Sequence, residues 1–122
     1  MNNYDPVAKG IMQGNLGGLQ EEQGEFETAK QSYFDAIAAF DAALLIQPDD
    51  TRALKCKASA LMSLGDVQEK LSERQESLKN WQEALKTYNR FLGMEPHKER
   101  IRYIRDGLQK RLDNLDEDTA SS

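Results

Sequence analysis

The side chains best suited to chemistry are few in this 122-residue chain, and their spacing brings none of them together. His97 is the only histidine, and it directly follows Pro96, which is typical of a polar residue at a helix start. Cys56 is the only cysteine; the charges of Lys55 and Lys57 would favour its thiolate, but adjacent residues diverge around a helix. No Cys–His pair has metal-ligand spacing. The sequence therefore predicts no catalytic residue, metal site or cofactor, and a protein that is not an enzyme.

Two acidic pairs and a glycine-rich stretch could also suggest chemistry, but each is typical of a simpler role. The pairs Glu21-Glu22 and Asp49-Asp50 are more often solvated charge than acid–base partners. Residues 14–18 are rich in glycine but do not follow a strand, so they lack the context of a phosphate-binding loop.

Three glycines suggest a surface rather than a reaction. Gly10, Gly14 and Gly18 recur every four residues, which would leave a groove without side chains along one helix face and let another helix approach closely. The alternative is a poorly formed terminal helix that frays when nothing is bound, because each glycine costs up to about 1 kcal/mol relative to alanine.

The element that must position these residues is a stretch that occurs twice. Residues 16–48 and 64–96 align without a gap at an offset of 48 residues. The matched pairs include Leu16/Leu64, Gly17/Gly65, Gln20/Gln68, Glu21/Glu69, Tyr33/Trp81, Ala36/Ala84, Phe40/Tyr88, Leu44/Leu92 and Pro48/Pro96. A fixed period of this length predicts stacked repeats.

The repeat resembles the tetratricopeptide repeat (TPR) family. The motif residues are Leu16-Gly17, Gly24-Glu25-Phe26, Ala29, Tyr33 and Ala36 in the first copy, and Leu64-Gly65, Trp81, Ala84 and Pro96 in the second. That family's usual repeat has 34 residues, so the longer period predicts helices extended by about one heptad. The resemblance implies an all-α fold, an α-solenoid fragment in which the first helix of each hairpin lines a concave surface.

Periodicity and resemblance together predict one domain over residues 1–116. It contains two antiparallel TPR-like helical hairpins, at about 5–47 and 50–94, and a C-terminal capping helix at about 97–115. A disordered acidic tail is expected at 117–122. The aromatic residues at helical spacing are expected in the core rather than as exposed binding anchors: Tyr33, Phe40, Trp81 and Tyr88.

The turn of the second hairpin has two possible positions. Ser72-Glu73 aligns with Gly24-Glu25 and gives hairpin arms of matched length, so it is preferred. A turn at Gly65-Asp66 would instead leave one long helix that ends at Gly93.

Charge and composition exclude some classes of binding partner and some cellular locations. Net charge is −5, and it divides unevenly: residues 1–50 carry nine acidic and two basic side chains, whereas residues 51–122 carry twelve acidic and fourteen basic ones. Without a dominant basic surface, nucleic-acid binding is not expected. No apolar run approaches the roughly 20 residues that span a bilayer, and the N-terminal residues lack the pattern of a secretory signal. A lone cysteine suits a reducing compartment, so we expect a cytoplasmic protein.

We expect a non-catalytic protein–protein interaction module or scaffold that binds a peptide or a partner helix on its concave face. The resemblance and the helical periodicity place on this face Gly14, Gly18, Glu21, Lys55, Ser59, Met62, Asp66, Arg100, Tyr103, Gly107 and Lys110. Tyr103 and Arg100 are expected to contribute most to binding, followed by Met62. The alternative is a structural homo-oligomer that associates head to tail or as a dimer, with its acidic end against its more basic end.

Overall fold

The structure, a computed structural model, describes the backbone of residues 4–121 and the side chains of residues 4–115. Within these residues the chain is all-α, with no strand. The five helices of the described chain are α1 (Pro6–Glu22), α2 (Phe26–Ile46), α3 (Thr51–Lys70), α4 (Arg74–Met94) and α5 (Glu99–Ser121). Helices α1 and α2 form the first hairpin, α3 and α4 form the second, and α5 packs on α4. This confirms the predicted fold class.

The first helix of each hairpin begins at an aspartate. The Asp5 carboxylate accepts a hydrogen bond from the Val7 backbone N–H at 3.0 Å, and Pro6 occupies the first turn. The Asp50 carboxylate accepts one from the Ala53 N–H, also at 3.0 Å. Each cap satisfies a backbone donor that has no partner within the helix. Helix α1 runs unbroken from Pro6 to Glu22 despite its glycines.

The two hairpins turn in the same way at aligned positions. Gly24 has φ +78° and Ser72 has φ +62°, so both residues adopt the left-handed conformation. After each one the next N–H closes the helix end: Glu25 N–H bonds to the Gln20 carbonyl at 2.9 Å, and Glu73 N–H bonds to the Gln68 carbonyl at 2.8 Å. This pattern is the Schellman motif. The second hairpin therefore turns at Ser72-Glu73, and the alternative at Gly65-Asp66 is wrong.

Contacts inside the hairpins repeat with the 48-residue period. The Ser32 hydroxyl donates to the Gln20 side-chain oxygen at 2.6 Å. At the aligned positions, the Asn80 amide donates to the Gln68 side-chain oxygen at 2.7 Å. Since position 32 aligns with 80 and position 20 with 68, the repeat is a unit of structure as well as of sequence.

The core follows the predicted helix faces. All four aromatic side chains expected in the core are buried: Tyr33, Phe40, Trp81 and Tyr88. Because α2 packs on both α1 and α3, and α4 packs on both α3 and α5, the second helix of each hairpin joins its own hairpin to the next element.

The last helix is longer than predicted. It begins at Glu99 and continues to Ser121, so residues 117–121 are helical where a disordered tail is predicted. No glycine or proline after Gly107 interrupts it, and Leu108, Leu112 and Leu115 anchor the preceding turns on α4. Ser122 lies outside the described residues.

Candidate functional site

A groove of about 600 Å³ runs between α1 and α3, the first helices of the two hairpins. We call it the inner groove. Its walls carry mostly small or apolar side chains, with Glu22 as the one charged residue among its lining. The lining residues are Gly10, Ile11, Gly14, Asn15, Gly18, Leu19 and Glu22 on α1, Tyr33 and Phe40 on α2, and Cys56, Ser59, Ala60 and Ser63 on α3.

The glycines of α1 have two distinct structural roles. At Gly10 and Gly17 an aromatic ring takes the space of a side chain: a Cβ would lie 2.5 Å from the Phe40 ring and 2.9 Å from the Tyr33 ring, respectively. At Gly14 nothing lies within 4 Å of that position, and at Gly18 the nearest atom is the Tyr33 hydroxyl at 3.9 Å. Packing therefore requires Gly10, contrary to its predicted place in an open glycine face, whereas Gly14 and Gly18 border open space.

Two titratable groups that line the groove, the Cys56 thiol and the Tyr33 hydroxyl, are neutral. Burial raises the pKa of the Cys56 thiol and outweighs the opposing charges of Lys55 and Arg52, so the thiolate that neighbouring lysines could favour is not stabilised. Burial also raises the pKa of the Tyr33 hydroxyl, with a further contribution from its hydrogen bond to Glu21. Apart from Glu22, the groove thus presents an uncharged surface at neutral pH, and Cys56 is not an activated nucleophile.

Glu21 joins three helices at one end of the groove. Its carboxylate accepts a hydrogen bond from the Tyr33 hydroxyl at 2.9 Å and pairs with Lys70 of α3 at 3.2 Å. A predicted partner-binding residue therefore already holds α1 against α2 and α3.

Asp66 and Met62 also make structural contacts that the sequence does not reveal. The Trp81 indole N–H donates to the Asp66 carboxylate at 3.1 Å and lies 3.3 Å from the Met62 carbonyl. Arg111 of α5 donates to the same carboxylate at 3.0 Å, and its guanidinium lies 5.0 Å from the centre of the Trp81 ring. The Met62 side chain packs against the core around Trp81. This cluster ties α5 to α3 and α4.

The remaining predicted residues lie outside the inner groove. Lys55 and Arg100 line a separate recess of about 310 Å³ together with His97. Tyr103 is 81% exposed, and Gly107 and Lys110 are also exposed on α5. Of the predicted concave residues, the structure brings Gly14, Gly18 and Ser59 together in one groove.

The sequence prediction omits several groove residues that the three- and four-residue spacing of a helix would have indicated. Ile11, Asn15 and Glu22 lie three or four residues from Gly14 or Gly18, hence on the same side of α1. Asn15 aligns with Ser63, which lines the opposite wall. Arg111 gives no comparable signal, because its role depends on the indole that it covers.

No protein family, curated protein or solved structure matches this chain. Within the described residues, no cluster of three or more His, Cys, Asp or Glu side chains could hold a metal ion. Over the same part of the chain, no helix is both long and apolar enough to cross a membrane.

Proposed function

We propose that this chain is a non-catalytic protein-interaction module that holds a peptide or a partner helix in its inner groove. The observation that carries the proposal is the open space over Gly14 and Gly18. Each glycine costs up to about 1 kcal/mol in a helix, and neither is needed for internal packing. A benefit outside the folded chain, such as close approach of a ligand backbone, would offset that cost.

The shape and polarity of the groove support an elongated protein ligand. Its volume of about 600 Å³ is within the range of ligand sites in proteins, and it follows two helices instead of closing into a cavity. Leu19 and the Tyr33 ring offer apolar contact, while Asn15 and Ser63 offer hydrogen bonds. This mixture suits a peptide with alternating apolar and polar side chains better than a charged small molecule.

The resemblance to the TPR family supports the same proposal. In that family the first helix of each hairpin lines the concave surface, and α1 and α3 are the first helices here. On this interpretation Arg100 and Tyr103 of α5 extend the surface beyond the inner groove, with Lys55 beside Arg100. A lone cysteine fits the reducing conditions of the cytoplasm, where we place the module.

Capture from an extract of the native source tests the function. Bound proteins should be quantified for the wild type and for three variants of the full chain. Gly14→Leu fills the inner groove, and the double variant Arg100→Ala, Tyr103→Ala removes the two exposed side chains on α5. Lys79→Leu, on the exposed side of α4, is the control. A specific partner should be retained by the wild type and the control and lost with Gly14→Leu. If every captured protein is retained equally by all four, the groove is not the binding site.

Self-association is the second candidate, favoured by the division of charge. Residues 1–50 carry a net −7 and residues 51–122 a net +2, so a head-to-tail contact would pair opposite charges. Sedimentation at several protein and salt concentrations tests this candidate. A mass that rises with protein concentration and falls with added salt would support it, whereas a constant monomer mass would reject it.

A further inference from the structure

An apolar face of α1 is covered by no other helix among the described residues. We call it the α1 end face, and it consists of Met12, Leu16 and Leu19. These residues are spaced four and three apart, so they share one side of the helix. All three are exposed, and Leu16 is 43% exposed. Exposed apolar residues that share one helix face are a candidate interaction surface.

The same face is covered in both later copies of the helix. Leu16 aligns with Leu64 of α3 at an offset of 48 residues and with Leu112 of α5 at twice that offset. Leu64 is 1% exposed and Leu112 is 6% exposed. The other two positions behave alike: Ala60 and Leu108 are buried where Met12 is exposed, and Val67 and Leu115 are buried or partly buried where Leu19 is exposed.

The structure shows what covers the face in each case. On α3 it is α2, which packs Tyr33 against Leu64 and Val67, and Phe40 against Ala60. On α5 it is α4, which packs Trp81 and Tyr88 against Leu108 and Leu112. Both covering helices carry an aromatic residue, an aliphatic one four residues later and a second aromatic three residues after that. The two sets are Tyr33, Ile37 and Phe40, and Trp81, Leu85 and Tyr88.

A polar contact with the same period fixes the register of the covering helix. Lys57 of α3 pairs with Asp41 of α2 at 2.7 Å. At the aligned positions, Arg105 of α5 donates to the Asn89 side-chain oxygen of α4 at 2.6 Å. The equivalent cation on α1 is Lys9, which is exposed and whose ammonium lies 5.9 Å from the centre of the Tyr4 ring. A helix that covered α1 in the same manner would bring an oxygen acceptor to Lys9.

We propose that the α1 end face is a second interaction surface, which takes one helix of another protein. That helix carries an aromatic residue at position i, Ile or Leu at i+4, a second aromatic at i+7 and an oxygen acceptor at i+8. The aromatic residues cover Met12, Leu16 and Leu19, and the acceptor meets Lys9. The pattern follows from the two internal copies. The α1 end face shares Leu19 with the inner groove, whereas Met12 and Leu16 do not line that groove, and Leu16 is the residue that the test below changes.

Charge and packing argue against a second copy of this chain as the occupant. The first hairpin carries most of a net −7, so two copies that met symmetrically through α1 would place like charges together. A head-to-tail contact would pair opposite charges, but the second copy would then have to present the aromatic pattern from α2 or α4. The two helices that carry the required pattern, α2 and α4, already use it within their own chain. The partner helix therefore comes from a different protein, and a basic exposed side would complement the acidic hairpin.

A peptide made from α4 is a defined probe of this surface. The probe spans residues 73–95, carries a fluorescent label and is held helical by a lactam between Lys79 and Glu83, which are exposed in α4. Fluorescence anisotropy measures its binding to the full chain. Leu16→Glu is the test variant, and Leu45→Glu is the matched control, because Leu45 is an 86% exposed leucine on α2. A second probe with Trp81→Ala and Tyr88→Ala tests the aromatic requirement.

We expect saturable binding to the wild type and to Leu45→Glu, and at least about tenfold weaker binding to Leu16→Glu and by the aromatic-free probe. Both protein variants should keep their helical circular dichroism, because both leucines are exposed. Equal affinity for the wild type and Leu16→Glu, or no saturable binding to either, would overturn the proposal. So would sedimentation of the unliganded chain as a dimer that Leu16→Glu dissociates, because a second copy would then occupy the face.

Discussion

The indole of Trp81 lies against the backbone of Gly65, so that a Cβ added at Gly65 would stand 2.4 Å from the ring. The aligned pair Gly17 and Tyr33 shows the same close approach in the first hairpin. In each hairpin, a glycine of the first helix therefore allows a large ring of the second helix to pack at short range. This relationship explains why glycine recurs at positions 17 and 65 of the aligned stretches.

We predict that Gly65→Ala destabilises the chain, whereas Gly14→Ala stabilises it. The added methyl at position 65 meets the Trp81 ring, which a hydrogen bond to Asp66 holds in place. Overpacking of this kind costs about 1–3 kcal/mol. At position 14 the methyl meets nothing within 4 Å, and replacing a helical glycine with alanine gains up to about 1 kcal/mol. Urea denaturation of both variants measures the difference. If both substitutions changed the free energy of unfolding in the same direction, the two glycines would not have these distinct roles.

The left-handed turns give a second prediction. A substitution at position 72 should stabilise the folded chain, and one at the aligned position 24 should destabilise it. Ser72→Gly removes a side chain from a residue at φ +62°, which should stabilise the chain by about 0.5–1 kcal/mol after the extra entropy of glycine is counted. Gly24→Ala places a side chain at φ +78° and should cost about 1 kcal/mol. Thermal denaturation of the two variants beside the wild type measures both. A destabilised Ser72→Gly would show that the serine side chain contributes more than its backbone strain costs.

Asp66 makes stability depend on pH in a predictable direction. Burial raises its pKa above the ordinary value of 3.8, although the Arg111 charge and the Trp81 hydrogen bond oppose the shift. The folded state then holds the proton more tightly than the unfolded state. The contribution of this group to stability is therefore complete below about pH 3.8 and declines as pH rises through the folded-state pKa.

The variant Asp66→Asn isolates this effect, because asparagine does not titrate but still offers the indole an acceptor. The free energy of unfolding of the wild type, relative to the variant, should fall as pH rises above about 3.8. Chemical denaturation of both proteins over a pH series measures the difference. A difference that stays constant or rises over that interval would contradict the direction of the shift.

Much of the fold could be predicted from the sequence because both hairpins have the same apolar spacing and the same turn position. The apolar spacing of Tyr33, Phe40, Trp81 and Tyr88 predicts the buried faces, and the alignment of Gly24 with Ser72 predicts the second turn. The end of α5 is mispredicted, because charge alone suggests a solvated tail and no residue there breaks a helix. Composition alone is therefore a weak guide to where a terminal helix ends.

The candidate site is predicted less well than the fold, because periodicity locates a helix face but does not show which contacts its residues make. Asp66 and Met62 lie on the predicted side of α3, yet the Trp81 indole engages the carboxylate of one and the carbonyl of the other. Gly10 shares the spacing of Gly14 and Gly18, yet the Phe40 ring fills its space. Such differences depend on where a large side chain from another helix comes to rest.

Site-specific photocrosslinking in an extract of the native source tests most directly whether the inner groove holds a protein ligand. A photoreactive residue at Ser59, on the groove wall, is compared with one at Lys79, on the exposed side of α4. We predict a discrete crosslinked partner from position 59, absent from position 79 and abolished when Gly14→Leu is added. Adducts that are the same at both positions, or a position-59 adduct that persists with Gly14→Leu, would contradict the proposal.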